Sequence, residues 1–149
     1  MKQRVIYDTS VLVPALVAPH PQHAAARGCL AKAHATRHKM LVCSHTLAEC
    51  YSVLTSLPVR PRIPPGTALH LIEESVRRAA TVVDLNADDY GEVLAGLAKL
   101  GLPGGIVYDA LVLQAARKSR ATVLVTLNPS DFVRLLPPSS VAIKTPDAV

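Results

Sequence analysis

Short, continuous apolar runs alternate with helical patterns along the chain, and this alternation limits the fold more than any other feature. Residues 2–7, 40–43, 81–85, 122–126 and 141–144 read as strands. They lack the apolar/polar alternation of a half-exposed strand, so both faces are expected to be covered. Between them lie helical stretches. Residues 11–17, interrupted by Pro14, suit only a short helical turn. Residues 22–34 are rich in Ala and follow Pro21, a residue suited to a first helical position. Ser44 is placed to cap a helix through residue 56 that stops before Pro58. A proline-rich loop over 58–66 precedes a helix over 67–80, with Leu69, Ile72 and Val76 at helical spacing. Asn86 can cap the next helix, where Tyr90, Val93, Leu94, Leu97 and Leu100 recur with helical period before the break at 101–105. A last long helix covers 107–119. The expected fold class is α/β: a central, mostly parallel sheet with helices on both faces. Sites in such sheets lie beyond the C-terminal ends of the strands.

The 149 residues suit one domain, taken as 1–149. Half the residues are hydrophobic, yet only 3% are aromatic, with no Trp and one Phe. The core must therefore be Val, Leu, Ile and Ala, and a surface that stacks many bases on rings is disfavoured. The net charge of +5 favours polyanionic partners. Cys29, Cys43 and Cys50 are odd in number and form no Cys-x-x-Cys pair. With no apolar run of the roughly 18 residues needed to span a bilayer, no membrane association and a reduced, cytoplasmic setting are expected.

Four places could carry chemistry. Asp8 directly follows the first strand in Tyr7-Asp8-Thr9-Ser10; its plainest role is to cap the next turn. Glu49 lies in the helix after the second strand, at the edge of the apolar face, where a Glu is often simply solvated. Asp109 is more telling, because it shares a stripe with Val112, Leu113 and Ala116. An ionised carboxylate on a core-facing stripe is costly unless paired or bound to a cation, although a first-turn position favours negative charge. The segment from Thr126 to Phe132 follows a strand; it is a turn by composition, but Thr126, Asn128 and Asp131 could serve the same crevice. Several carboxylates in one crevice require a cation to stay ionised, and hard oxygen donors suit Mg²⁺, with Mn²⁺ as a substitute. The expected chemistry is phosphodiester hydrolysis by metal-activated water, with no covalent enzyme intermediate.

Asp8-Thr9-Ser10 after the first strand, Glu49 in an early helix, Asp109 opening a later one, and Thr126-x-Asn128-x-x-Asp131-Phe132 together resemble the motifs of PIN-domain nucleases. The compact size is similar to that of the VapC toxins of VapBC systems. The resemblance implies a PIN-like three-layer α/β/α fold and a Mg²⁺-dependent endoribonuclease that acts on RNA. It further implies a homodimer and inhibition by a small VapB-like antitoxin. By position, Asp8, Glu49 and Asp109 match the family's acids. The fourth place falls to Asn128, where many relatives have Asp, or to Asp131. Ser10 and Thr126 match supporting polar groups.

Other features carry less. His34 and His38 could share a helical face, but no His-Glu-x-x-His pattern accompanies them. Gly104-Gly105 lacks the following Lys-Ser or Lys-Thr of a phosphate loop. Arg60, Arg62, Arg117, Lys118 and Arg120 are candidates for phosphate contacts, although such clusters are usually solvated surface. Two alternatives stand beside the ribonuclease. One is a catalytically weak PIN-like scaffold that binds RNA or protein. The other is a phosphotransfer enzyme of unrelated doubly wound fold with Asp8 as nucleophile.

Overall fold

A computed structural model describes residues 2–135 and 141–149; Met1 and residues 136–140, part of the expected 1–149 span, lie outside the described residues. Five strands, β1 (Arg4–Tyr7), β2 (Lys39–Cys43), β3 (Thr81–Val83), β4 (Val123–Val125) and β5 (Ala142–Lys144), form one sheet in the order β3-β2-β1-β4-β5. Every neighbouring pair is parallel, so the expected mostly parallel sheet is parallel throughout. The period of two divides the apolar runs between two cores. Val5, Tyr7, Val42, Val123 and Val125 face one, whereas Ile6, Leu41, Cys43, Val83 and Leu124 face the other.

The first core is covered by α1 (Thr9–Leu16), α2 (His23–Ala35), α3 (Ser44–Ser56) and α4 (Pro65–Ile72), with α4 continuing into a π-helical turn over Glu73–Arg77. The second is covered by α5 (Ala87–Leu100), α6 (Ile106–Lys118) and the short α7 (Pro129–Val133). All three cysteines are free and buried, and they pack as small apolar residues.

Four local expectations need correction. Residues 11–16 belong to a full helix that begins at Thr9, with Val17 as its extended C-cap; Pro14 removes one donor but leaves the remaining turn intact. Pro21 lies ahead of α2 rather than in its first turn, because Gln22 is the N-cap. Ser44 is the first residue of α3, not its cap, and its Oγ accepts from the Leu85 N–H at 3.3 Å. In α4 the buried row is Ala68, Ile72 and Val76, spaced by four, which leaves Leu69 55% exposed.

The cap of α5 is as expected. Asn86 Oδ1 accepts from the Asp89 N–H at 2.9 Å, and Asp89 Oδ2 accepts from the Asn86 N–H at 2.8 Å. Gly101, with φ of 66°, closes the helix in the left-handed region that glycine tolerates best. Asn86→Ala is expected to lower stability by about 1 kcal/mol, because it leaves first-turn donors without a partner. A urea titration that shows no shift in midpoint would count against this role.

Candidate active site

Strand order reverses between β1 and β4, and such reversals open a crevice beyond the strand ends. The registered pair Tyr7 and Val125 puts Asp8 and Thr126 side by side there. Asp8 occupies the N-cap position of α1 but makes no side-chain cap bond, so the plain capping role is not what the carboxylate does. Instead Asp8 Oδ2 accepts from Ser10 Oγ at 2.8 Å and from Thr126 Oγ1 at 2.9 Å. Each hydroxyl has one proton, so the 3.2 Å approach of Ser10 Oγ to Thr126 Oγ1 is a close contact once both donate to Asp8. Backbone amides fix the two hydroxyls: Leu127 N–H donates to Ser10 Oγ and Asn128 N–H to Thr126 Oγ1, both at 3.0 Å. The two supporting residues thus lock Asp8 through Oδ2 and leave Oδ1 for a ligand.

Glu49 sits in the second turn of α3, behind β2. Its Oε2 accepts from Thr9 Oγ1 at 2.8 Å, which ties α3 to the first residue of α1. Thr9 was not among the residues singled out from sequence, although it stands inside the Asp8-Thr9-Ser10 motif. The Oε1 of Glu49 lies 3.5 Å from His45 Nε2, but that buried nitrogen makes no hydrogen bond.

Asp109 lies in the first turn of α6 and is half-buried. Its carboxyl is pushed up to about 7, chiefly by burial and then by the negative charges of Asp8, Asp131 and Glu49; Arg134 pulls the other way. Four acids separated in sequence therefore share one electrostatic neighbourhood. Asp8 is only 4% exposed, and burial raises its pKa against the opposing effect of the Ser10 and Thr126 hydroxyls and the nearby amides of Thr9 and Ser10. The adjacent Cys50 thiol is pushed up to about 12, again chiefly by burial and then by the charges of Glu49 and Asp8.

The two candidates for the fourth position differ in their surroundings. Asn128 is exposed at the N-cap of α7 and makes no side-chain cap bond. Asp131, one turn on, acts directly on Asp109 and lies 3.7 Å from Arg134, a cation that the sequence reading did not pick out. Among the described residues, no group of three His, Cys, Asp or Glu closes into a ready-made metal cage. Hard cations that keep several waters and take only a few carboxylates fit such an open arrangement. Buried Asp8 and the partly exposed Glu49, Asp109 and Asp131 form a donor set whose repulsion a divalent cation would relieve.

The basic candidates fare unevenly. Lys118 is committed to α5, bonding Asp89 Oδ2 at 2.6 Å and the Asp84 carbonyl at 2.8 Å. Arg60, Arg62, Arg117 and Arg120 are exposed.

A family model described as the PIN domain matches residues 5–135, and the chain belongs to the PIN-domain family. Among individual proteins, it is 40% identical over 121 residues to Ribonuclease VapC27 of Mycobacterium tuberculosis, covering 81% of this chain and 82% of that one. The DNA-bound VapBC structure from Salmonella typhimurium superposes with a TM-score of 0.67 at 26% identity, over 97% of this chain and 98% of that one. The structure of VapC20 from Mycobacterium tuberculosis, described as a sarcin-ricin loop cleaving toxin, superposes with a TM-score of 0.68 over 87% of this chain and 93% of that one. At 15% identity, the VapC20 match speaks to the fold alone. Family membership also removes the phosphotransfer reading, which required an unrelated fold.

Proposed function

We propose that this chain is a metal-dependent endoribonuclease of the VapC kind, the toxin of a toxin–antitoxin pair. The observation that carries the reading is the set of acids at the β1/β4 crevice, where burial opposes ionisation of Asp8, and burial together with the charges of Asp8, Asp131 and Glu49 opposes that of Asp109. PIN-domain ribonucleases are generally divalent-metal dependent, and a relative named as a ribonuclease shares 40% identity across most of both chains. Mg²⁺, with Mn²⁺ as a substitute, is the ion that hard oxygen donors favour. Asp8 through Oδ1, Asp109 and Asp131 would hold it, with Glu49 at the edge of the set. When bound, such an ion supplies polarisation of the scissile phosphodiester and acidifies the attacking water.

The chain's own residues do the positioning. Ser10 and Thr126 hold Asp8 in one orientation, and Thr9 ties Glu49 to the start of α1 through Oε2. Arg134, close to Asp131, is placed to meet a phosphate oxygen at the edge of the acids. We assign the fourth role to Asp131 rather than Asn128. Residues 1–149 read as one PIN-like domain. Among the described residues no helix is long and apolar enough to cross a membrane. RNA as substrate, a cytoplasmic setting, a homodimer and a small VapB-like antitoxin complete the proposal. The VapC27 ribonuclease and the VapBC complex support it.

Purified protein incubated with total RNA is expected to release discrete fragments with Mg²⁺ or Mn²⁺ and none with chelator. Metal-independent silence from well-folded protein would overturn the nuclease and favour the binding scaffold. In the same assay, Asp131→Ala should raise the cation concentration for half-maximal cleavage by about 10-fold, and Asn128→Ala by less than about 3-fold. The reverse ranking would return the fourth role to Asn128.

A further inference from the structure

One face of α3, formed by His45, Ala48, Glu49, Ser52 and Val53, lines an open cleft of about 430 Å³ whose other wall is Tyr108 of α6. The His45 and Tyr108 rings stack across it, with centroids 5.1 Å apart and planes inclined by 3°. That separation lies within the range of favourable ring pairs. Tyr108 is nevertheless 48% exposed, although Ile106 and Ala110 beside it are buried. With one face against the imidazole, its solvent contact falls on the opposite face and the edges. Glu49 belongs to both this cleft and the acid set, and Asp109 is the next residue after Tyr108. A polynucleotide whose phosphate reaches the acids therefore brings an adjacent base to the ring. In a chain so poor in aromatics, an exposed ring braced at the edge of the acids is an economical way to hold one base.

We propose that Tyr108, backed by His45, is a stacking platform for one nucleobase of single-stranded RNA next to the scissile phosphate. The inference rests on the ribonuclease reading. Ala48 and Val53 give the cleft apolar lining, and Ser52 offers a hydroxyl to a base edge. A single platform tolerates any base through its π-face, so it contributes affinity and register more than sequence choice. Tyr108 is a positioning residue, and His45 acts through it.

The test uses a labelled single-stranded oligoribonucleotide, read by anisotropy with Ca²⁺ and by cleavage with Mg²⁺. Copies carrying one abasic residue at each position around the cut are compared. Tyr108→Ala is expected to weaken binding about 10-fold and to raise KM similarly, with a smaller effect on kcat. Tyr108→Phe, which keeps the ring face, should restore most of the loss. At one position the abasic substitution should cost the wild type as much as Tyr108→Ala does, and cost Tyr108→Ala nothing more. Additive penalties at every position, or binding by Tyr108→Ala within 2-fold of wild type, would overturn the platform. Tyr108-dependent binding without any cleavage would overturn the ribonuclease reading and leave the platform standing.

Discussion

Asp8→Ala and Asp109→Ala are each expected to lower metal-dependent RNA cleavage by at least about 100-fold while the protein stays folded, because each would remove a ligand from the proposed cation set, whose members act as a unit. The double variant is expected to be little worse than either single one, as groups acting together lose their effect together. The fold should survive for a physical reason. Asp109 contributes repulsion to the cation-free protein, so its removal relieves the cluster. Asp8→Ala leaves the Ser10 and Thr126 hydroxyls without their shared acceptor, which makes Asp8→Asn a useful companion. The near-isosteric amide keeps an acceptor for both hydroxyls but lacks the charge. Cleavage and circular dichroism measured side by side decide the matter. Full activity from either alanine variant with Mg²⁺ present would remove that residue from the site.

The layered fold was legible because each strand is a continuous apolar run, a pattern that forces cover on both faces. The cap of α5 was legible because Asn86 and Asp89 stand at the spacing a reciprocal cap needs. Asp109 stood out for the same kind of reason: a carboxylate on an apolar stripe demands an explanation. Three things were not available to such reasoning. Ser44 has the chemistry of a cap, but its choice of the Leu85 amide depends on how β3 lies against β2. Lys118 looks like a free surface cation until α5 and α6 are packed together, whereupon Asp89 and the Asp84 carbonyl take it. Thr9 and Tyr108 acquire their contacts only through neighbours distant in sequence, Glu49 for Thr9 and His45 for Tyr108, and Arg134 is set apart from other surface cations only by the Asp109 charge brought near it. Local patterns specify elements and single anomalies, whereas pairings between elements must wait for the packed chain.

Chelated protein is expected to lose stability as pH rises from about 4 to about 7, the opposite of the behaviour of a salt-bridged carboxylate. Asp109 titrates near the ordinary carboxylate value of about 3.9 when unfolded and at about 7 when folded. Between those values the folded state holds the extra proton, so unfolding releases it and rising pH favours the unfolded chain. The stabilising protonated form is fully available below about pH 4, and no further loss from this group is expected above about pH 7. Asp8, raised by burial, acts in the same direction. Asp89, whose pKa is lowered by its bonds to Lys118 and the Asn86 amide, loses its contribution only below the ordinary carboxylate range and lies outside this window. Since Asp109 is partly solvated, screening reduces its share to on the order of 1–2 kcal/mol. Asp109→Asn should therefore flatten the slope and stabilise the chelated protein at pH 7.5. Saturating Mg²⁺ should stabilise the wild type there by mass action and the variant much less. Urea titrations across pH 4 to 8, with chelator and with Mg²⁺, measure all four cases. A chelated wild type whose stability rises through this window would mean that the acids ionise without penalty. The cation would then have no repulsion to relieve, and the crevice would lose its claim to be a metal site.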